Sequence, residues 1–227
     1  MLIWQASLLG CCRQNGGSKS MKIDAEQNRY LGDKGWESDP QLFAQVAVTW
    51  SQWFGQAGEH LYAAQVLLPH IQQRNAEIQR LMESQNRGTV KMTPSLTGIY
   101  FLHCAFSIEN AFKCVIAAQS ATEIESEIRR TNRIPKMLLG HDLVELAEKA
   151  GFSIGTDEEY TLAFLTRYGT WAGRYPLPVH NDRNALTDKL SNGGHYMVGG
   201  YRPDQVPAFV AFCANAYSWA RAKVEPS

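Results

Sequence analysis

The sequence predicts an all-α protein, an antiparallel bundle of about five helices with a long Gly-rich loop before the last one. Three observations carry this. Apolar residues recur at three- and four-residue steps from about residue 42 onward, the period of one helix face. One segment, 97–119, is apolar nearly all round, which suits a helix enclosed by others. Helix-start and helix-stop residues punctuate the periodic stretches.

Residues 13–40 are polar and Gly-rich and read as a loose lead-in, so the chain divides into a mobile N-terminal leader, 1–40, and a helical domain, 41–227. Met1–Gly10 is apolar and ends in Leu8-Leu9-Gly10-Cys11, but it lacks a basic n-region and Gln5 interrupts it. Met21 opens a more ordinary polar beginning. Trp50, Trp53, Phe54, Ala57, Leu61, Ala64, Leu68, Ile71, Ile78 and Leu81 then predict one long helix to about residue 84. Pro69 lies inside it and is expected to kink or split it. Asn86-Arg87-Gly88 ends the pattern, and Thr93-Pro94 reads as the next start, a capping hydroxyl followed by proline.

The second helix, to about residue 119, carries Ile99, Tyr100, Phe101, Leu102, Ala105, Phe106, Ile108, Ala111, Phe112, Val115 and Ile116. Residues 122–139 suit a short helix and a loop. Asp142 with Glu145 predicts a helix start and Gly151 its stop. Thr156 with Glu159 forms a capping-box pattern for a helix to about residue 172, with Tyr160, Phe164, Tyr168 and Trp171 on its apolar face and Pro176 and Pro178 ending it. The loop 181–203 has room for a short hairpin. A final helix from near Asp204 carries Val206, Phe209, Val210, Cys213, Tyr217, Ala220 and Val224.

Lysine and arginine number 22, matching 22 aspartates and glutamates, so no global field draws the chain to nucleic acid or to a membrane surface. No uninterrupted run of about 18 apolar residues is present, so no membrane partner is expected. Of five cysteines, Cys104, Cys114 and Cys213 fall among apolar neighbours and read as small core residues of a reducing compartment, and the expected location is the cytoplasm. No pair of cysteines has metal-site spacing, and no H-E-x-x-H, G-x-S-x-G or phosphate-loop pattern is present, so neither a metal nor a cofactor is expected.

The central helix is the unusual element. His103, Ser107 and Asn110 stand at i, i+4 and i+7 on one face, with Glu109 and Lys113 four apart beside it. In a helix this apolar, such a stripe needs partners on another element or access to a cleft. It reads either as a satisfied network that fixes packing or as a ligand or catalytic surface. Arg167 and Arg174 lie two turns apart with Trp171 between them. A guanidinium there can fork onto a carboxylate or phosphate, or pair with Glu109 inside the bundle. His180 follows Arg174 just beyond the prolines. His141, before a helix start, reads as a capping or packing residue, and Trp50 and Trp53 as core or dimer surface.

Several segments together resemble the HEPN family of small helical bundles. They are the Trp- and Ala-rich first helix; Ala105-Phe106-Ser107-Ile108-Glu109-Asn110-Ala111-Phe112-Lys113, similar to the family's A-x-x-x-E-N-x-x-K helix; Gly140-His141-Asp142-Leu143-Val144-Glu145-Leu146-Ala147, similar to its H-D-L-x-x-L segment; and Arg174-Tyr175-Pro176, similar to an R-Y-P that closes a later helix. The resemblance covers roughly residues 45–222. It implies an HEPN-like homodimer that binds a nucleotide or RNA without catalysis, as a partner of a nucleotidyltransferase or another protein of a defence or toxin–antitoxin system. Its supporting residues would be His103, Glu109, Asn110, Lys113, Arg167 and Tyr175. The alternative it implies is a metal-independent endoribonuclease, with His180 as acid or base on a ribose 2′-hydroxyl and Arg174 holding the phosphate. Two departures stand against that alternative: Pro176 and Pro178 break the helix on which such an Arg/His pair normally sits, and Leu177 stands where the R-Y-P branch often has Asp. A third reading is a purely structural interaction module.

Overall fold

The computed structural model describes residues 40–84, 94–172, 187–189, 195–197 and 201–225. These belong to one unit beginning at Pro40, and it is all-helical but for one short hairpin. In chain order the elements are α1 (Pro40–Val48), α2 (Trp50–Glu83), α3 (Thr97–Gln119), α4 (Ala121–Thr131), α5 (Lys136–Leu139), α6 (Leu143–Ala150) and α7 (Thr156–Arg167). A π-helical turn (Tyr168–Ala172), strands β1 (Thr187–Lys189) and β2 (His195–Met197), a 3-10 turn (Pro203–Gln205) and α8 (Val206–Val224) follow. The strands are antiparallel, Thr187 facing Met197 and Lys189 facing His195, a hairpin of the kind the 181–203 loop has room for.

Helix α3 is the axis around which the others pack. Tyr100, Phe101, Ile108 and Phe112 on it are fully buried. Phe101 sits at the centre of an aromatic cluster, its ring 4.9–5.0 Å from those of Phe164, Tyr168, Tyr201 and Phe209. Tyr100 keeps its hydroxyl satisfied by donating to the Val206 carbonyl at 2.7 Å, which ties α3 to the start of α8. A second aromatic group, Phe112, Phe152, Phe212 and Trp219, closes the far end of the bundle. Helix α3 is long and apolar enough to cross a membrane by length and composition, although charged residues interrupt its apolar sequence. Here that apolar surface is spent on neighbouring helices.

Helices α2 and α3 run antiparallel, and three contacts give the register: Trp53 beside Lys113, Ser107 donating to the Ala57 carbonyl at 3.0 Å, and His60 against His103. The next stripe of α2 turns to α8, where Phe54 stacks on Tyr217 at 4.2 Å. Gly169 lets the π-helical turn approach α3 closely, since a Cβ there would lie 3.3 Å from that of Ala105.

The boundaries differ from expectation at four places. The first predicted helix is two, broken at Thr49, whose ψ of 92° is extended and whose hydroxyl turns back to the Gln45 carbonyl. Pro69, by contrast, does not split α2, one of the two outcomes expected of it. It lies on the exposed side, as does Gln65 four residues earlier, so the carbonyl that loses its amide partner is open to water. Helix α3 starts at Thr97 rather than at Pro94, which is not helical; Thr93 lies outside the described residues. The cap of α7 is Gly155 and not Thr156: the Glu158 carboxylate reaches back to accept from the Gly155 amide at 3.0 Å. A glycine has no side chain to return the favour, so only half of a capping box forms. Helix α6 meets expectation at both ends. Asp142 accepts from the amides of Val144 and Glu145, and Gly151 closes the helix at φ 75°, the left-handed conformation that suits glycine.

Candidate functional site

The polar stripe of α3 turns out to be the meeting point of four elements. Glu109 and Lys113 are both buried, and Lys113 Nζ donates to Glu109 Oε1 at 2.7 Å. With glutamate N-terminal to lysine at i, i+4, the pair has the favoured orientation on a helix. The same carboxylate oxygen lies 3.0 Å from His141 Nδ1. An ionised carboxylate can only accept, so His141 carries its proton on Nδ1. Its Nε2 edge is left on a side chain that is 54% exposed. Backbone geometry fixes this placement: His141 immediately precedes the Asp142 cap, and the Leu143 amide is held by the Thr166 hydroxyl of α7 at 3.0 Å.

Lys113 is also 5.8 Å from the Trp53 ring centroid, within range of a cation–π attraction. The Trp53 indole N–H donates to the Ala47 carbonyl at 2.9 Å, so one half-buried tryptophan fastens the end of α1 and shields the ammonium. Neither reading of Trp53 as core or as dimer surface anticipated this role beside the charges.

Two turns toward the N-terminus of α3, His103 Nδ1 meets His60 Nδ1 at 3.0 Å. The Phe106 ring lies 5.2 Å from that of His60. Both imidazoles are held below their usual range. For His60 burial is the larger cause and His103 the second, with Glu59 and Glu109 pulling the other way; for His103 the cause is burial. Both rings are therefore neutral at pH 7, one donating and one accepting.

The stripe is thus partly a packing network and partly an accessible surface. Ser107 bonds to α2, and Asn110 turns its amide to the Phe106 carbonyl of its own helix at 2.7 Å. His103 and Lys113 reach across to α2, and Glu109 across to His141. Glu109 is engaged by Lys113, the i, i+4 partner its spacing offered, and by His141. Arg167 is half-buried at the end of α7. Arg174, Tyr175 and His180 lie outside the described residues. His60 and the direct role of His141 escaped the sequence reading.

The buried thiols suit core packing. Burial pushes Cys114 up to about 12 and Cys213 well above its ordinary value, helped by Cys104 beside it; such thiols are inert at neutral pH. Among the described residues, no three His, Cys, Asp or Glu side chains gather as metal ligands. Two concavities, one at His70, Arg74 and Leu96 and one at Asp157, Tyr160 and Phe209, lie apart from the Glu109 cluster. The charged and hydrogen-bonded groups around Glu109 mark the candidate site. Compared with known proteins, the chain matches no family model, no curated protein and no solved structure.

Proposed function

We propose that this chain is an HEPN-like helical module that binds a nucleotide or RNA through the Glu109 cluster. One observation supports this reading above the others: two of the segments that carry the resemblance, one on α3 and one at the start of α6, converge on a single carboxylate oxygen, Glu109 Oε1. A carboxylate that fixes a histidine tautomer leaves the outer nitrogen ready to accept from a base amino group or a ribose hydroxyl. The neighbouring His60–His103 pair and Phe106 continue the same helix–helix edge with hydrogen-bonding and aromatic groups, the mixture that recognises nucleobases. Lys113 is neutralised by Glu109, so binding through this cluster would depend less on salt than backbone-driven RNA binding does.

The test is equilibrium dialysis of nucleoside mono-, di- and triphosphates and of a short labelled mixed RNA, with native protein and the Glu109→Gln and His141→Ala variants. Saturable binding by the native protein, weakened at least tenfold in both folded variants, is the expected result. No saturable binding, or equal affinity in all three, sinks the reading. A parallel incubation with RNA in EDTA decides catalysis: cleavage that disappears in Arg174→Ala and His180→Ala would replace a binding module with a metal-independent endoribonuclease.

A further inference from the structure

The His60–His103 contact brings two imidazole Nδ1 atoms to 3.0 Å across two antiparallel helices. Metal–imidazole bonds are about 2.0–2.1 Å, so two nitrogens 3.0 Å apart subtend an angle of roughly 95° at an ion bound to both. That is close to the cis angle of a square-planar or tetragonal centre, and narrower than the ~109° of a tetrahedral one. Tetragonal nitrogen–oxygen coordination is characteristic of Cu(II) and Ni(II), and Cu(II) stands highest in affinity among the divalent first-row ions.

We infer that His60 and His103 together chelate one divalent transition-metal ion, Cu(II) in preference to Zn(II), in an open site on the α2–α3 edge. The two donors sit on regular helices in register with the Ala57–Ser107 bond, so the scaffold sets their separation. With ring centroids 5.2 Å apart the nitrogens face each other, and each ring would turn about its side-chain bonds to aim its lone pair at the ion. The ion would take the position now spanned by the N–H···N contact. The donating ring would shift its proton from Nδ1 to Nε2, and no proton would be released. Phe106, with its ring 5.2 Å from that of His60, adds an apolar neighbour to the pair. Among the described residues no third ligand joins the pair, so the remaining positions fall to water or to an oxygen donor of a bound molecule. Sequence spacing gave no hint of such a site because the donors are 43 positions apart.

The test uses the full chain without an affinity tag, freed of metal with EDTA and desalted, titrated with Cu(II) or Zn(II) in the presence of a weak competing chelator. Native protein is expected to take one Cu(II) more tightly than Zn(II). Affinity for Cu(II) should fall at least tenfold in His60→Gln and in His103→Gln, and hold in His70→Gln. Equal Cu(II) affinity in native and both site variants overturns the inference, as does the absence of Cu(II) binding. Should the variants fold poorly, the electron paramagnetic spectrum of the native copper complex decides instead. Superhyperfine splitting from two imidazole nitrogens supports the site, and splitting from one or none overturns it.

Discussion

Glu109 accepts from both Lys113 and His141 within the bundle, and removing one member of a buried pair leaves the other without compensation. Glu109→Ala strands the Lys113 ammonium, 4% exposed, with Trp53 as its remaining attraction, and is expected to cost about 3–5 kcal/mol. Replacing both charges with apolar groups of similar size removes the stranded ion. The double variant Glu109→Leu, Lys113→Met is therefore expected to unfold at a higher urea concentration than Glu109→Ala alone. Single-variant losses that simply add in the double variant would contradict the pairing. A second consequence concerns pH. His60 and His103 have depressed folded values, so below about 6.5 the unfolded chain binds protons that the folded chain does not. Stability contributed by the pair is present above that pH and is lost as pH falls through the lower folded values. Glu59 and Glu109 limit the shift at His60 without reversing it. Urea midpoints at pH 7.5 and 5.5 are expected to differ less in the double variant His60→Gln, His103→Gln than in the native chain.

At the scale of the elements, Pro69 is the instructive position. Proline inside a helix forfeits one hydrogen bond and crowds the preceding turn, yet α2 runs through it. The cost is tolerated on an exposed face of a helix anchored by Ala57, Leu61, Ala64 and Ile71. Pro69→Ala restores the donor toward the Gln65 carbonyl and is expected to stabilise the protein, by an amount up to about 3 kcal/mol. An unchanged or lowered melting temperature would show that α2 is bent there to fit its neighbours. The same comparison shows what was legible in the chain. Periodicity and strong caps located the helices, and the Asp142 and Gly151 signals were right because each acts within its own turn. The break at Thr49 was not legible, because neither glycine nor proline marks it; a local hydroxyl bond and the Trp53 tie to Ala47 do. The π-helical turn after Arg167 was hidden within an apolar pattern that continues through it.

Across the whole molecule, α3 supplies both the core and the candidate site. Its apolar character and its polar stripe were each visible along the sequence, so Glu109, Lys113 and His103 could be named from spacing alone. Their histidine partners could not, since His60 stands 43 positions from His103 and His141 stands 32 from Glu109. Only the packing of α2 and of the α5–α6 connection onto α3 brings them together. A one-dimensional reading could pair Glu109 with Lys113 on the same helix, but it could not supply the histidine that comes from the next segment. This arrangement gives His141 a fixed inner nitrogen and an outward one, and nucleotide recognition is proposed to begin there. The most direct test is a long-range proton–nitrogen spectrum of the histidine rings, recorded free and with the tightest-binding nucleotide or RNA at saturation. The predicted result is an Nδ1-protonated His141 whose Nε2 resonance moves on binding, with the movement lost in Glu109→Gln. A His141 ring whose resonances stay in place at saturating ligand would contradict it.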